Sequence, residues 1–442
     1  MSQNDCISSR GLGFLPDVPK FFDVLNNLWH PETNQEGIVN LGLAENALLQ
    51  TELVSFINSH LRITSHALTY GDGFTGSKQL KDAFCLLLNN YFNPNIMVTP
   101  SHLAITPGVG NAIECCAWSL FNPKDQVLIG RPYWTAFNYI FGIRAGVQVR
   151  EVSFNGIDSF SLEAVEAYEK EYIRAREEGK CVQAVLLCSP HNPLGRCYAK
   201  DVLIAYMRLC GKLRLHLLVD EIYALSVFEN SEMDDAVPFT SVLSLNAEGL
   251  MDPRKVHVQW GFSKVLHLTP LQLHELTLLQ DFGATGLRIG CLISQSNPLF
   301  LKSLESFSLF NFPSSLADNA AVSLLMDKDF TDSYISLHRS RLSESYRYVT
   351  GVLQANGIPY LKSNASLFLM VNLAAATHHA ASDDDILALL RERKVYITSA
   401  SGYKSETSGW FRLVIAHPKY VLDEGLKRMC QALSGDNSGV VL

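Results

Sequence analysis

The chain has no surplus of positive charge, no long apolar run and no paired-cysteine motif. Its 36 Lys and Arg are outnumbered by 44 Asp and Glu, giving a net charge of −8, and neither sign gathers into a block. That balance argues against nucleic acid or an anionic membrane surface as the main partner. No apolar stretch reaches the length needed to span a bilayer. The N-terminus, Met1-Ser-Gln-Asn-Asp-Cys6, lacks the basic and apolar regions of a secretory signal, so a cytosolic (cytoplasmic) protein is expected. The ten cysteines form no C-x-x-C pair, and the adjacent Cys115 and Cys116 are badly placed for a disulfide of normal geometry. Reduced thiols and no metal site follow as expectations. Internal repeats and low-complexity tracts are missing too; only the tail Ser434–Gly439 reads as frayed.

What is present is a 442-residue chain, 47% hydrophobic and 18% charged, enough for a large core and more than one domain. Short apolar segments alternate with helical stretches through the first two thirds. Strands are predicted at His102–Thr106, Gln126–Ile129, Val147–Val152, Ala184–Cys188, Leu215–Val219, His257–Trp260 and Gly290–Ser294. This βαβ rhythm predicts an α/β fold with a mostly parallel seven-stranded sheet covered on both faces. Functional groups then belong just past the C-terminal strand ends. From about residue 312 the character changes. One long helical stretch, Ser314–Asn356, is followed by strands at Leu367–Asn372 and Val395–Thr398. Between them lies a helix with Ser382 as N-cap and Asp383–Asp385 in its first turn. The expected division is an N-terminal segment, 1–60, packing with a smaller α+β domain, 312–432; a large domain, 61–311; and a tail, 433–442.

Lys264 closes the run Val-Gln-Trp-Gly-Phe-Ser-Lys, and Asp281-Phe-Gly-Ala-Thr-Gly-Leu-Arg-Ile-Gly290 begins sixteen residues after it. With Val265–Gln280 removed, the joined string resembles the cofactor-lysine segment of fold-type-I pyridoxal 5′-phosphate (PLP) enzymes. A PLP site also needs a partner for the pyridine nitrogen, donors to the ring hydroxyl, a stacking aromatic, a phosphate cup and a substrate-carboxylate clamp. The chain offers each. Asp220 opens Asp220-Glu-Ile-Tyr223 after an apolar strand and can hold the pyridine nitrogen protonated; Tyr223 can donate to the ring oxygen. Asn192, in Ser189-Pro-His-Asn-Pro-Leu-Gly195, is a second donor on a proline-stiffened turn; His191 there reads as positional. Thr106-Pro-Gly-Val-Gly-Asn111 starts a helix, so Gly108, Val109, Gly110 and Asn111 can present backbone N–H groups to a phosphate. Trp134, in Pro132-Tyr-Trp-Thr-Ala-Phe137, is the candidate stacking ring. Arg288 can meet the phosphate. Arg412 can clamp the substrate carboxylate in bidentate fashion. It lies inside an apolar strand, Trp410–Ala416, where an unpaired charge is costly. Taken singly, each motif has a bland alternative: a helix cap, a turn, a core aromatic, a surface ion pair. The ordered set is specific.

That set resembles the class-I aminotransferase superfamily, and most of all its 1-aminocyclopropane-1-carboxylate (ACC) synthase branch, over most of residues 20–430. Asn40-Leu-Gly-Leu-Ala-Glu-Asn-Ala-Leu48 is similar to that branch's substrate-proximal loop, which implies a substrate contact for Glu45. Leu68-Thr-Tyr-Gly-Asp-Gly73 is similar to the segment whose tyrosine reaches the partner subunit's cofactor phosphate, which implies that role for Tyr70 and a homodimer with shared sites. The resemblance implies an amino-acid substrate whose α-proton Lys264 removes while Arg412 holds the carboxylate. Transamination, elimination at Cβ or Cγ, and ring closure are all open. The loop versions look like those of fungal ACC-synthase-like enzymes of specialised metabolism, a class that includes lyases. Three positions depart from the branch: Trp134 replaces a usual tyrosine, Gly110 a common threonine and Gly261 a usual serine. Two hydroxyl donors to the phosphate are then missing, each worth about 1.5–3 kcal/mol.

The insert Val265–Gln280 holds seven leucines, one Glu and no Lys or Arg. Placed beside the lysine, it is expected to shift Arg288 from the phosphate or to bulge into the cofactor pocket. Two origins fit it. A retained intron is one: Val codons begin GT, a Gln codon can end in AG, and Leu276-Thr277 can encode a branch point. A genuine insertion that loops out, with a short helix from Leu271 to Leu279, is the other. An active enzyme, an ordinary aminotransferase and a catalytically impaired homologue are the corresponding functional readings.

Overall fold

The computed structural model describes residues 6–12, 24–262, 281–377, 382–434 and 441. Lys264, the insert 265–280 and most of the tail lie outside the described residues. A short strand, β1 (Val39–Asn40), comes first. The main-sheet strands follow: β2 (Leu103–Thr106), β3 (Gln126–Gly130), β4 (Gln148–Val152), β5 (Val182–Cys188), β6 (His216–Asp220), β7 (Val256–Gly261) and β8 (Gly290–Ile293). The last third holds β9 (Phe368–Asn372), β10 (Val395–Tyr396), β11 (Thr398–Ser399) and β12 (Trp410–Val414).

The main sheet runs in the order β2-β8-β7-β6-β5-β3-β4. All its neighbours pair in parallel except β8, which is antiparallel to both β2 and β7. All seven strands fall where apolar runs predicted them, with ends moved by one or two residues. Both faces are covered, as a parallel sheet requires. Ala184 and Leu186 enter one apolar cluster and Val185 and Leu187 the other, so alternate side chains feed opposite sides of the sheet. Helix α1 (Val109–Leu120) crosses from β2 to the sheet's middle and is buried along most of its length.

The C-terminal part builds a separate three-stranded antiparallel sheet, β11-β12-β9. β1 pairs in parallel with β10, Val39 opposite Val395. Helix α2 (Ser315–Met326) and helix α3 (Lys328–Ala355) occupy the stretch expected as one helix. They part at Asp327, whose extended backbone (ψ 91°) breaks the first helix and whose side chain accepts the Phe330 N–H to cap the second. The apolar period continues across the break, so periodicity alone hides it. The strand expected at Val395–Thr398 is likewise two strands, each in a different sheet. Ser382 caps helix α4 (Asp383–Glu392) through the Asp385 N–H, as its sequence signature predicts. Among the described residues no helix is long and apolar enough to cross a membrane, and no group of three or more His, Cys, Asp or Glu is placed to hold a metal ion.

Candidate active site

Asp220, Asn192 and Trp134 lie at or just past the C-terminal ends of the parallel strands β6, β5 and β3. Asp220 is the last residue of β6 and fully buried. Its Oδ1 accepts the Ile222 N–H at 3.2 Å, and its carbonyl accepts Ser189 N–H at 2.9 Å, which ties the β5 and β6 ends together. Tyr223, also fully buried, sets its ring edge-on to Phe368 at 5.4 Å.

Arg412 lies on β12, only 4% exposed. Its Nη1 donates to Asn192 Oδ1 at 3.0 Å and its Nη2 to the Gly42 carbonyl at 2.7 Å. The guanidinium carbon stands 4.8 Å from the ring centres of both Phe368 and Tyr403, an arrangement that favours the cation. Among the described residues Nε has no hydrogen-bond partner. Because the Asn192 oxygen is engaged by a cation, its amide nitrogen is set as a donor in another direction. Phe368 therefore touches both the carboxylate-clamp candidate and the ring-oxygen donor candidate. Tyr403 is fixed from three sides: its hydroxyl pairs with Thr398 Oγ1, its carbonyl accepts Tyr133 N–H, and Arg131 Nε bonds the next carbonyl, Lys404. Neither Phe368 nor Tyr403 was found by sequence reasoning. Phe368 is 44 residues from Arg412 in the chain and Tyr403 nine, on the short helix that precedes its strand, and no local motif marks either.

The phosphate-cup candidates sit at the N-terminus of α1, where Gly108 is the cap with φ +87°. That angle favours glycine. Gly290 is a point of close approach: a Cβ there would lie 2.4 Å from Gly108 C and 2.6 Å from Val109 N. Gly261 is another, since a Cβ would meet Gly290 Cα at 2.6 Å. A serine at position 261 has no room in this backbone, where β7, β8 and α1 meet. Asn111 differs from the expectation in detail. Its side chain donates to the buried Glu114, which in turn pairs with Arg144, and its N–H goes to the Gly108 carbonyl. Val109 and Gly110 thus offer the first-turn N–H groups of the cup. Arg288 sits in the left-handed region (φ +53°) and donates to the Pro107 carbonyl at 3.3 Å. Burial pulls its guanidinium down to about 10. Arg288 thus lies beside the cup candidates, while the insert whose effect on it was expected lies outside the described residues.

Glu45 lies in the loop that also supplies the Gly42 carbonyl. Its Oε2 accepts from Asn40 Nδ2 at 3.3 Å. Desolvation raises its carboxyl to about 7, against the opposing effect of the Asn40 bond. Trp134 is half-buried after β3, its ring 5.3 Å from Phe137. Tyr70 is not brought to the site within one chain; it is 78% exposed.

The two flanks of the insert meet. Trp260 Nε1 donates to Asp281 Oδ2 at 3.2 Å, and the Phe262 and Phe282 rings are 4.9 Å apart. Asp281 also accepts from Leu225 N–H and Ser226 Oγ, and burial raises it to about 7.

The family profile described as "Aminotransferase class I and II" matches residues 37–429. The chain belongs to that family. Among its relatives, a "Probable aminotransferase aclI" of Aspergillus oryzae is 31% identical over 398 residues, covering 88% of this chain and 90% of its own length. A "1-aminocyclopropane-1-carboxylate synthase-like protein 1" of Homo sapiens is 30% identical, covering 91% of this chain and 78% of its own. In fold, the chain is similar to an aspartate aminotransferase double mutant of Thermus thermophilus, with a TM-score of 0.72 at 19% identity, over 97% of this chain and 99% of that one. The ACC synthase-like resemblance and the fold-type-I architecture are thereby established, and the cofactor of this aminotransferase-family chain is PLP. Its own donor set fits that group. A buried carboxylate suits a pyridinium, an amide and a phenol suit a phenolate, and a glycine-lined helix start with an arginine beside it suits a phosphate.

Proposed function

We propose that this aminotransferase-family enzyme binds an α-amino acid at PLP and removes its Cα proton, with ACC synthase-like bond making or breaking at Cβ or Cγ in specialised metabolism. The observation that supports this most is Arg412: a buried, ring-sandwiched cation hydrogen-bonded to Asn192, whose Nε has no partner among the described residues. A carboxylate is the partner such a fork suits. When bound, PLP supplies a ring that draws off the electron pair left by the broken Cα–H bond.

The chain's residues divide the remaining work. Asp220 keeps a proton on the pyridine nitrogen. Tyr223 and Asn192 donate to the ring oxygen. The Val109 and Gly110 N–H groups, with Arg288, hold the phosphate, and Trp134 lies on the ring face. Lys264 anchors the cofactor and then accepts the Cα proton. Arg412 orients the carboxylate, and Glu45 faces the substrate's reactive side. Tyr70 completes the phosphate site of a second copy; its exposure, with that of Leu68 (75%) and Phe310 (91%), supports a homodimer.

Purified chain given PLP is expected to absorb in the visible range, and borohydride to fix the group on Lys264. A protein that stays colourless would overturn the reading. A second reading, transamination, is favoured by Trp134 and by the name of the Aspergillus relative. It requires an added 2-oxo acid for turnover, whereas elimination or cyclisation proceeds without one.

A further inference from the structure

Beside Arg412 the two sheets leave a cavity of about 680 Å³, within the range of small-molecule sites. It is built from immediate neighbours of the candidate contacts. Met370 lies directly opposite Arg412 in the β9–β12 pair, and Trp410 is two residues before it on the same strand. Opposed residues and alternate residues share a face, within about 4.5–7 Å of one another. Leu194 follows Asn192 by two residues, and Pro132 precedes Trp134 by two; both line the cavity. None of the functions assigned above uses this space.

Its chemistry is neutral. The two charged groups in its wall are already engaged. Arg131 bonds the Lys404 carbonyl and Ser153 Oγ and pairs with Glu151 at 3.7 Å. The Glu406 carboxylate accepts the N–H groups of Phe154 and Asn155 at 2.9 and 2.8 Å. What remains is an apolar wall of Met370, Trp410, Leu194 and Phe154, set with hydroxyls such as Ser159 and Thr407. A cation placed there would meet only the Glu406 carboxylate and an anion only the Arg131 guanidinium, each already held by its own partners, so a charged group would be partly desolvated for little return.

We propose that this cavity is a second subsite, taking an uncharged, partly apolar extension of a substrate whose amino-acid head is held by Arg412. The inference rests on the amino-acid reading above and narrows it: the substrate is larger than its head group and carries no charge at the far end. Calorimetric titration of the PLP-loaded full chain with L-alanine, L-tryptophan, L-glutamate and L-lysine tests it, together with the variants Thr407→Trp and Ile157→Trp, which fill the mouth. Ile157 is 43% exposed and Thr407 exposed, so both rings fit without displacing core. L-Tryptophan is expected to bind at least tenfold more tightly than the other three. Both variants are expected to bring its advantage over alanine to within twofold. Glutamate or lysine binding as tightly as tryptophan, or an undiminished tryptophan advantage in both variants, overturns the subsite while leaving the amino-acid reading intact. Heat from none of the four ligands, in a chain that has bound PLP, overturns the amino-acid reading and the subsite with it.

Discussion

At the end proposed to take the phosphate, the groups on offer are backbone N–H groups at the start of α1, packed close by Gly108, Gly261 and Gly290, with Arg288 alongside. At the end proposed to take the carboxylate they are side chains: Arg412 and Phe368 from the small sheet, Asn192 from the loop after β5, and Tyr403 from a short helix. The first end depends on the absence of side-chain atoms, the second on their presence. A backbone cup tolerates most nearby substitutions but not an added Cβ at its contact points. A side-chain clamp loses strength stepwise as each contributor is trimmed.

Three changes test that contrast, from the largest expected effect to the smallest. Arg412→Ala removes the fork and leaves the Asn192 oxygen without its donor; kcat/KM is expected to fall about 100–1,000-fold, roughly 3–4 kcal/mol, with PLP affinity little changed. An equal loss of both would erase the distinction between the two ends. Gly290→Ala is expected to do the reverse. Its Cβ would overlap Gly108 and Val109, costing about 1–3 kcal/mol of stability, seen as a lower Tm and a weaker PLP titration by absorbance. If PLP binds this variant normally, the cup is not set by close packing. Tyr403→Leu keeps bulk but removes the ring over Arg412; a loss of about 0.5–2 kcal/mol in substrate binding is expected, and no change in KM would show that Phe368 alone suffices.

Glu45→Gln stands outside that ranking and is read against pH. The folded carboxyl titrates at about 7, above its ordinary 4.5. A raised acid binds its proton more readily folded than unfolded, so its contribution is fully present below about 4.5 and is lost as pH rises through 7. The native chain should lose stability across that window, and the glutamine variant should lose about 1–3 kcal/mol less. Identical pH profiles by denaturant titration would place Glu45 in water.

The sequence made the strands legible because each is a short apolar run bounded by turn residues, and the strand ends then located Asp220 and Asn192. Arg412 stood out as a charge inside an apolar strand, a cost that has to be compensated. Its stacking partners did not stand out: Phe368 is remote in the chain, and Tyr403, though nine residues away, sits in an irregular turn with no periodic trace. The break at Asp327 was hidden because α2 and α3 keep one apolar period across it. At Asn111 the place in the helix start suggested an N–H open to a phosphate, and only the structure shows that N–H going to the Gly108 carbonyl and the side-chain amide to Glu114.

The contact between Trp260 and Asp281, and between the rings of Phe262 and Phe282, closes a neck at the two ends of the leucine-rich segment. A closed neck makes chain length nearly free at that point: the entropy of loop closure rises only by about 0.6 kcal/mol for each doubling of length. A gene could gain or shed codons here with little change in folding stability, so selection would register such a change through turnover and not through protein abundance.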